Sequence, residues 1–291
     1  VDCVDCQYQY IKTTSCGCEV EHEYAQLYPE NYKNQVHILH STFALSMLHA
    51  FCNEKVAYGQ AQSFLPSLYN SLLFAATSTL PVTTQCTATR MHVYEKERGF
   101  NSSSTLQNSN AVVVSVLRAG NIPAMIISDT LALSPNVGVY NDYVVAERVT
   151  QQDGAISGTA ISGCKLSSKE MTQDEQRRIL IIPEPMGATA STTDAILSFY
   201  QEKYQQQGGL EFFDEIWGLY LIVTPEFITN MAAKWPQTKI FSHRLDRGLS
   251  TKEILATKLG SHVQQEKGLT ANGYIVPGAG DVGNLLSLKQ I

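Results

Sequence analysis

Hydrophobic and polar positions along this chain fall into two regimes that change near residue 111. Between residues 36 and 51, Ile38, Leu39, Ala44, Leu45, Leu48 and Phe51 recur at helix spacing. A second helix is predicted from about 57 to 76, with Phe64, Leu65, Leu68, Leu72 and Leu73 as its apolar stripe. Pro66 lies inside it and is expected to kink or split it. Residues 80–94 are rich in Thr and Val and predict one or two extended segments, and residues 101–110 predict a polar loop. From residue 111 the apolar residues come in short unbroken runs. AVVVSVLRAG predicts a buried strand ending at Arg118, followed by a helix over 122–133 and a strand over 137–145. Residues 150–178 read as a polar segment with a flexible excursion. A strand at 179–182, a helix opening at 191–193, a strand at 216–223, a short helix at 225–234 and a strand at 239–245 complete the pattern. Strands alternating with helices over 111–245 predict an α/β fold, a doubly wound, mostly parallel sheet preceded by N-terminal helices. Ligands of such sheets bind at the carboxyl ends of the strands. Arg118, Asn141, Glu184, Thr224 and Asp246 all fall just beyond predicted strand ends, which places them on one rim.

The segment 179–200, ILIIPEPMGATASTTDAILSFY, holds the first candidate chemistry. Pro183 and Pro185 stop a buried strand, and Gly187, Ala188 and Ala190 are small enough for backbone N–H groups to approach a ligand. Ser and Thr then cap a helix whose positive end faces that ligand. Such junctions bind anions, phosphate above all. The same pattern also suits an ordinary strand-to-helix turn. Neither Gly-Lys-Ser/Thr nor GxGxxG occurs here. A second candidate is ANGYIVPGAGDVGNLL at 271–286. Gly278, Gly280 and Gly283 surround Asp281 there and could present backbone groups around a planar ligand, or form simple coil.

The hydrophobic content of 44% supports one sizeable core or two modest ones. A net charge of −6 without a basic stripe argues against a nucleic-acid surface. The apolar runs fall well short of the roughly 20 residues that cross a bilayer. No signal peptide or lipidation motif is visible, so a soluble α/β protein without a membrane role is the expectation. Residues 1–30 form a Cys-rich extension before a domain spanning 31–291. Its Cys3, Cys6, Cys16 and Cys18 could hold Zn²⁺, with His22 replacing one thiolate; two disulfides or free thiols are the alternatives. Cys52, Cys86 and Cys164 read as scattered core or surface residues. His37 and His40, one turn apart on the predicted first helix, lack a third ligand and suit its surface or core better than a metal site. Asn101-Ser-Ser would accept a glycan only in a secreted protein.

The strongest signal is a resemblance. Tyr274-Ile-Val-Pro-Gly-Ala-Gly-Asp-Val-Gly283 resembles the uracil-binding hood of uracil phosphoribosyltransferases, Tyr-Ile-Ile/Val-Pro-Gly-Leu-Gly-Asp-Ala-Gly-Asp. The loop from Glu184 to Thr192 is similar to the family's phosphoribosyl-pyrophosphate (PRPP) loop, Asp-Pro-Met-Leu-Ala-Thr-Gly-Gly-Ser. Val116-Leu-Arg-Ala-Gly120 matches Ile-Leu-Arg-Ala-Gly, and Leu245-Asp-Arg-Gly-Leu249 resembles Ile-Asp-Gln-Gly-Leu. The motifs keep the family's order over roughly 36–286, with a hood over 246–291. The resemblance implies conversion of uracil and PRPP to UMP and pyrophosphate in pyrimidine salvage, in a cytoplasmic protein with organellar import left open, and a homo-oligomer. It implies catalytic roles for Asp281, Glu184 and Arg118. PRPP would be held by Arg118, Glu184, Pro185, Met186, Gly187, Ala188, Thr189, Ala190, Ser191, Thr192 and Asp281. Uracil would be held by Ile275, Gly280, Asp281 and Val282, and Mg²⁺ would ride mainly on substrate oxygens.

Several positions depart from the family pattern. Glu184 replaces Asp, Ala190-Ser191 replaces Gly-Gly, and Asn141 stands where a second pyrophosphate-binding Arg is expected, with Arg148 near enough in sequence to substitute. Asn284 replaces the last Asp of the hood, Leu285 replaces the basic residue after it, and residues 251–270 form an insertion. A lost charged contact costs on the order of 1.5–3 kcal/mol. Three functions therefore follow: a uracil phosphoribosyltransferase; a catalytically degenerate relative acting as nucleotide-binding regulator or structural subunit of a larger complex; and an enzyme for another base, which the nearly intact hood opposes.

Overall fold

The computed structural model describes residues 24–25, 35–81, 83–88, 90–94, 100–104, 106, 108–134, 137–150, 156–171 and 176–286. Among them, eight strands form the central sheet. Its order is β1 (Tyr24–Ala25), β2 (Val36–Leu39), β10 (Thr238–Leu245), β9 (Glu215–Val223), β8 (Arg177–Gly187), β5 (Ser109–Leu117), β6 (Val137–Thr150) and β7 (Ile156–Lys165). The six strands from β2 to β6 are parallel, and β1 and β7 pair antiparallel at the two edges. The inner strands are apolar at successive positions because both faces are covered. Val112, Val114, Leu180 and Ile182 face one core, under α4 (Ser191–Lys203) and α5 (Pro225–Lys234). Ala111, Val113, Ile179 and Ile181 face the other, under α1 (Thr42–Phe51), α2 (Tyr58–Thr77) and α3 (Asn121–Ala132). Each fully buried Leu, Ile or Val contributes about 1.5–3 kcal/mol to holding these layers.

Five expectations need correction. Pro183 and Pro185 do not stop their strand: β8 runs through both to Gly187, paired with β9, so Glu184 lies inside it and not beyond its end. The run at 36–51 is not one helix. Its first four residues are β2, which adds to β10, and Ser41 then caps α1 by accepting from Ala44 N at 3.3 Å. His37 and His40 are therefore not a helical pair, and His37 stacks on Phe241 with ring centroids 4.6 Å apart. Pro66 does not split α2. The lost hydrogen bond and ring clash cost about 3 kcal/mol, which burial of Leu65, Leu68, Tyr69 and Leu72 on the same helix outweighs. The polar stretch beginning at residue 101 is not wholly loop, because β4 (Phe100–Ser104) pairs antiparallel with β3 (Thr83–Thr87) in a separate ribbon. The segment 150–178 contains β7, an edge strand whose Ile161 packs onto the first core.

The N-terminal cysteines Cys3, Cys6, Cys16 and Cys18, with His22, lie outside the described residues, as does most of the 1–30 extension. The insertion at 251–270 carries a short helix, α6 (Lys252–Leu255), and is joined to its flanking segments by isolated bridges Gly248↔Lys267 and Leu269↔Ile275. No helix among the described residues is long and apolar enough to cross a membrane.

Candidate active site

The site forms where the order of the sheet reverses. The chain passes from β5 through α3 to β6 on one side, then returns to place β8, β9 and β10 on the other side of β5. Pairing between β5 and β8 ends at Val113↔Ile181, although β5 continues to Leu117 and β8 to Gly187. The strands part, and a crevice opens at their carboxyl ends, the usual ligand position in such sheets.

One wall of the crevice is the turn at 118–120, entered through a cis Leu117–Arg118 peptide. Arg118 is exposed, and its side chain has no hydrogen bond or ion pair with the described residues. Glu184 is partly buried in the opposite wall, and a Cβ on Gly120 would lie 2.8 Å from its Oε1 and 3.0 Å from Pro183 O and Val116 O. Glycine is required for that approach. Among the described residues the Glu184 carboxyl has no hydrogen-bond partner, and burial pushes its pKa up to about 8.

Beyond Gly187 the loop is short, comprising Ala188, Thr189 and Ala190, and α4 begins at Ser191. Ala190 caps α4 without a side-chain bond and holds φ 71°, the left-handed region the family fills with glycine. Thr192 and Thr193 keep N–H groups without partners among the described residues. Together with the helix dipole they are suited to an anion. Thr189 and Ser191 hydroxyls lie 3.1 Å apart at the same end. Gly187 does not open the loop to a ligand. It is buried, and a Cβ there would lie 2.9 Å from Val223 Cγ1 and 3.0 Å from the Phe227 ring. Pro185 is buried and Met186 packs on the second core, so neither side chain faces the crevice openly.

The hood covers this end. Gly273 approaches the loop closely, since a Cβ on it would lie 3.9 Å from Thr189 Cγ2. Ile275, Ala279 and the N–H of Gly280 have no backbone partners among the described residues, so these groups are available to a ligand edge. Val282 differs: its N–H goes to Gly280 O at 3.1 Å and its side chain is buried. Asp281 is exposed and caps α7 (Val282–Leu285), accepting from Asn284 N at 3.0 Å and from Asn284 Nδ2.

Thr224 and Asp246 stand on the rim as expected, immediately beyond β9 and β10. Thr224 Oγ1 donates to Ala188 O at 2.7 Å and so pins the loop. Asn141 does not stand there. It pairs with Val113 in mid-strand, four residues before the Leu117↔Val145 level, and its Oδ1 accepts from Ser128. Two supporting residues have no counterpart among the residues expected from sequence, Arg244 and Glu226. The latter holds Gly268 N and Leu269 N through its carboxylate at 3.0–3.1 Å. A carboxylate placed to bind backbone across 42 residues leaves no local pattern.

Among the described residues no group of three or more His, Cys, Asp or Glu could hold a metal. A single open carboxyl in the crevice, Glu184, fits Mg²⁺ only in the form that metal commonly takes with phosphates, bound largely through substrate oxygens.

An open crevice at a sheet reversal, a helix start facing it and a backbone-lined hood define a phosphoribosyltransferase-type α/β domain. Comparison with known proteins agrees. The uracil phosphoribosyltransferase family model matches residues 42–263. A Rhizobium etli protein named uracil phosphoribosyltransferase is 24% identical over 233 residues, covering 79% of this chain and 87% of that one. A Legionella pneumophila protein of the same name is 28% identical over 186 residues, covering 63% and 66%. The structure of the AQ2163 protein from Aquifex aeolicus superposes with a TM-score of 0.59 at 17% identity, covering 86% of this chain and 97% of that one. This chain belongs to the uracil phosphoribosyltransferase family.

Proposed function

We propose that the chain transfers the phosphoribosyl group of PRPP to uracil, giving UMP and pyrophosphate. The observation that carries this reading is the meeting of the α4 start and the hood across one crevice, with Gly273 against Thr189. The C1′–O bond to pyrophosphate breaks as the base nitrogen bonds to C1′ and gives up its proton. Positive charge develops on the sugar and negative charge on the leaving group, so both ends must be held in line. Thr192 and Thr193 N–H groups, with the Thr189 and Ser191 hydroxyls, would hold the 5′-phosphate. Glu184 would meet the ribose hydroxyls, and Arg118 would pair with the pyrophosphate as a permanently charged donor. Ile275 and Gly280 would read the uracil edge through backbone groups, with Asp281 between base and sugar. Mg²⁺ bound with PRPP would neutralise leaving-group charge, and Glu184 is the residue placed to help hold it. Self-association is part of the proposal, supported by exposed Phe43, Phe74 and Met125 on α1, α2 and α3.

One observation favours a second reading, a degenerate member that binds nucleotide without turnover: the Asp281 carboxylate is already occupied by Asn284. Conversion of labelled uracil to UMP with Mg²⁺ and PRPP separates the two. Arg118→Ala should leave the melting temperature unchanged, because the side chain is exposed and unpartnered, and lower turnover tenfold or more. UMP formation that survives the substitution would move the pyrophosphate site elsewhere. No UMP from folded wild-type protein would favour the second reading.

A further inference from the structure

We propose that Asp246 is the positioning residue for base recognition, acting with Arg244 on the backbone of Gly278. This deepens the reading above and rests on it. Asp246 is 2% exposed. Its Oδ2 accepts from Gly278 N at 2.7 Å, and its two oxygens are gripped by Arg244 through Nε at 2.5 Å and Nη2 at 2.9 Å. Arg244 Nη2 also donates to Gly278 O at 3.0 Å. Both polar groups of one hood residue are thus taken by one ion pair at the end of β10. The pair can form because residues two apart at a strand end share a face.

The consequence falls on the neighbours. Gly278 has φ 64°, and a Cβ there would lie 2.5 Å from Ile275 O, so the turn folds back tightly on Ile275. With Gly278 fixed, the open N–H and C=O groups of Ala279, the N–H of Gly280 and the groups of Ile275 gain defined directions. Ile275 and Gly280 among them are the groups assigned to the uracil edge. Among the described residues, the bonds from Gly248 N to Val276 O, Val276 N to Gly268 O and Thr270 N to Tyr274 O, all at 2.9 Å, attach this stretch before the turn, and after Pro277 the bonds that reach Gly278 come from Asp246 and Arg244. The PRPP side has separate supports, Thr224 to Ala188 and Asn230 to Thr189. Asp246 should therefore govern the base and leave PRPP alone. A buried charge pair suits this role, since truncating one partner leaves the other unpaired and the geometry lost.

The test uses the full chain carrying Asp246→Asn, with Asp246→Ala beside it. The Asn variant keeps the shape and one acceptor, so it guards against simple unfolding. Two readouts are taken. In steady-state assays the KM for uracil should rise tenfold or more, while the KM for PRPP changes less than threefold. In hydrogen–deuterium exchange without ligands, peptides covering 274–281 should exchange at least tenfold faster, while those covering 186–192 keep the wild-type rate. Equal loss for both substrates, or no change for uracil, overturns the proposal. If the wild-type protein makes no UMP, the enzymatic reading fails, and the exchange readout alone decides whether Asp246 positions the hood: unchanged exchange at 274–281 then overturns it.

Discussion

The inserted segment at 251–270 should prove an integral part of the fold, held by one buried ion pair. Arg247 and Glu266 have side chains 2% and 0% exposed, with Nη1 to Oε1 at 2.5 Å. Glu266 Oε1 also accepts from Gly260 N at 2.8 Å, and Arg247 Nη2 donates to Thr257 O at 2.6 Å. Glu266→Ala would remove the carboxylate that Arg247 Nη1 meets in the interior and the oxygen that accepts from Gly260 N. Breaking such a pair from one side costs about 3–5 kcal/mol. At about 2–4 °C per kcal/mol for a domain somewhat smaller than this one, that is a fall in melting temperature of roughly 6–20 °C. The double substitution Arg247→Met/Glu266→Leu should lose far less than the sum of its single variants, because neither charge is then left desolvated and alone. Raising salt from 0.1 to 1 M should change the wild-type value little, since a dry pair is poorly screened. Denaturant titration of wild type, both single variants and the double variant measures the coupling directly. A Glu266→Ala loss below about 1 kcal/mol, or additive losses in the double variant, would refute the clamp.

Two further outcomes concern the crevice. At Ala190, held at φ 71° with its methyl buried, Ala190→Gly trades left-handed strain against lost contact and added chain entropy and should stay within about 1 kcal/mol of wild type. Ala190→Val should lose roughly 2 kcal/mol or more in the same denaturation experiment, and equal stability of the two would show that backbone strain is absent. The pH dependence of ligand-free stability has a defined sign. Glu184, raised to about 8 by burial, binds a proton in the folded state that the unfolded chain has lost above about 4.5, so stability falls as pH rises through 8. His37 and His243 are lowered to about 4, largely by burial, and the unfolded chain binds the extra protons between 6.5 and 4, so stability also falls with acid there. A maximum near pH 6.5 follows from these three groups. Glu184→Gln should flatten the alkaline limb, and an unchanged limb would show that the carboxyl is ionised at neutral pH.

The parts of the fold that could be read from residue order are those whose burial repeats locally. β5, β8 and β9 are buried on both faces, so their apolar runs announce strands, and α5 has Thr224 and Pro225 at its start to mark the boundary. Reading fails where a periodic pattern runs through a boundary. Ile38 and Leu39 fit the helical stripe of α1 by accident, and only Ser41, a capping residue in the middle of the run, signals that the helix starts later. β4 and β7 escaped for another reason: they carry Ser, Thr and Gly, and an edge or ribbon strand needs backbone partners more than apolar side chains.

The same division runs through the candidate site. Arg118 and the 188–192 loop lie beyond a strand end or at a helix start, so their common position follows from topology once strands are assigned, whereas Glu184 lies inside β8, paired with Tyr220. Asn141 shows the limit: it lies inside the strand predicted over 137–145, paired with Val113, so it cannot reach the rim. What holds the hood over the crevice is of another kind. Asp246 to Gly278 spans 32 residues and Glu226 to Gly268 spans 42, each joining a side chain to a backbone N–H. Such bonds impose no residue type on the donating stretch beyond room for a tight turn, as at Gly278. A motif can therefore show what the hood presents to a ligand while remaining silent about what orients it. Orientation comes from carboxylates at the ends of β10 and the start of α5, which is why substitutions far from any base contact should alter base affinity first.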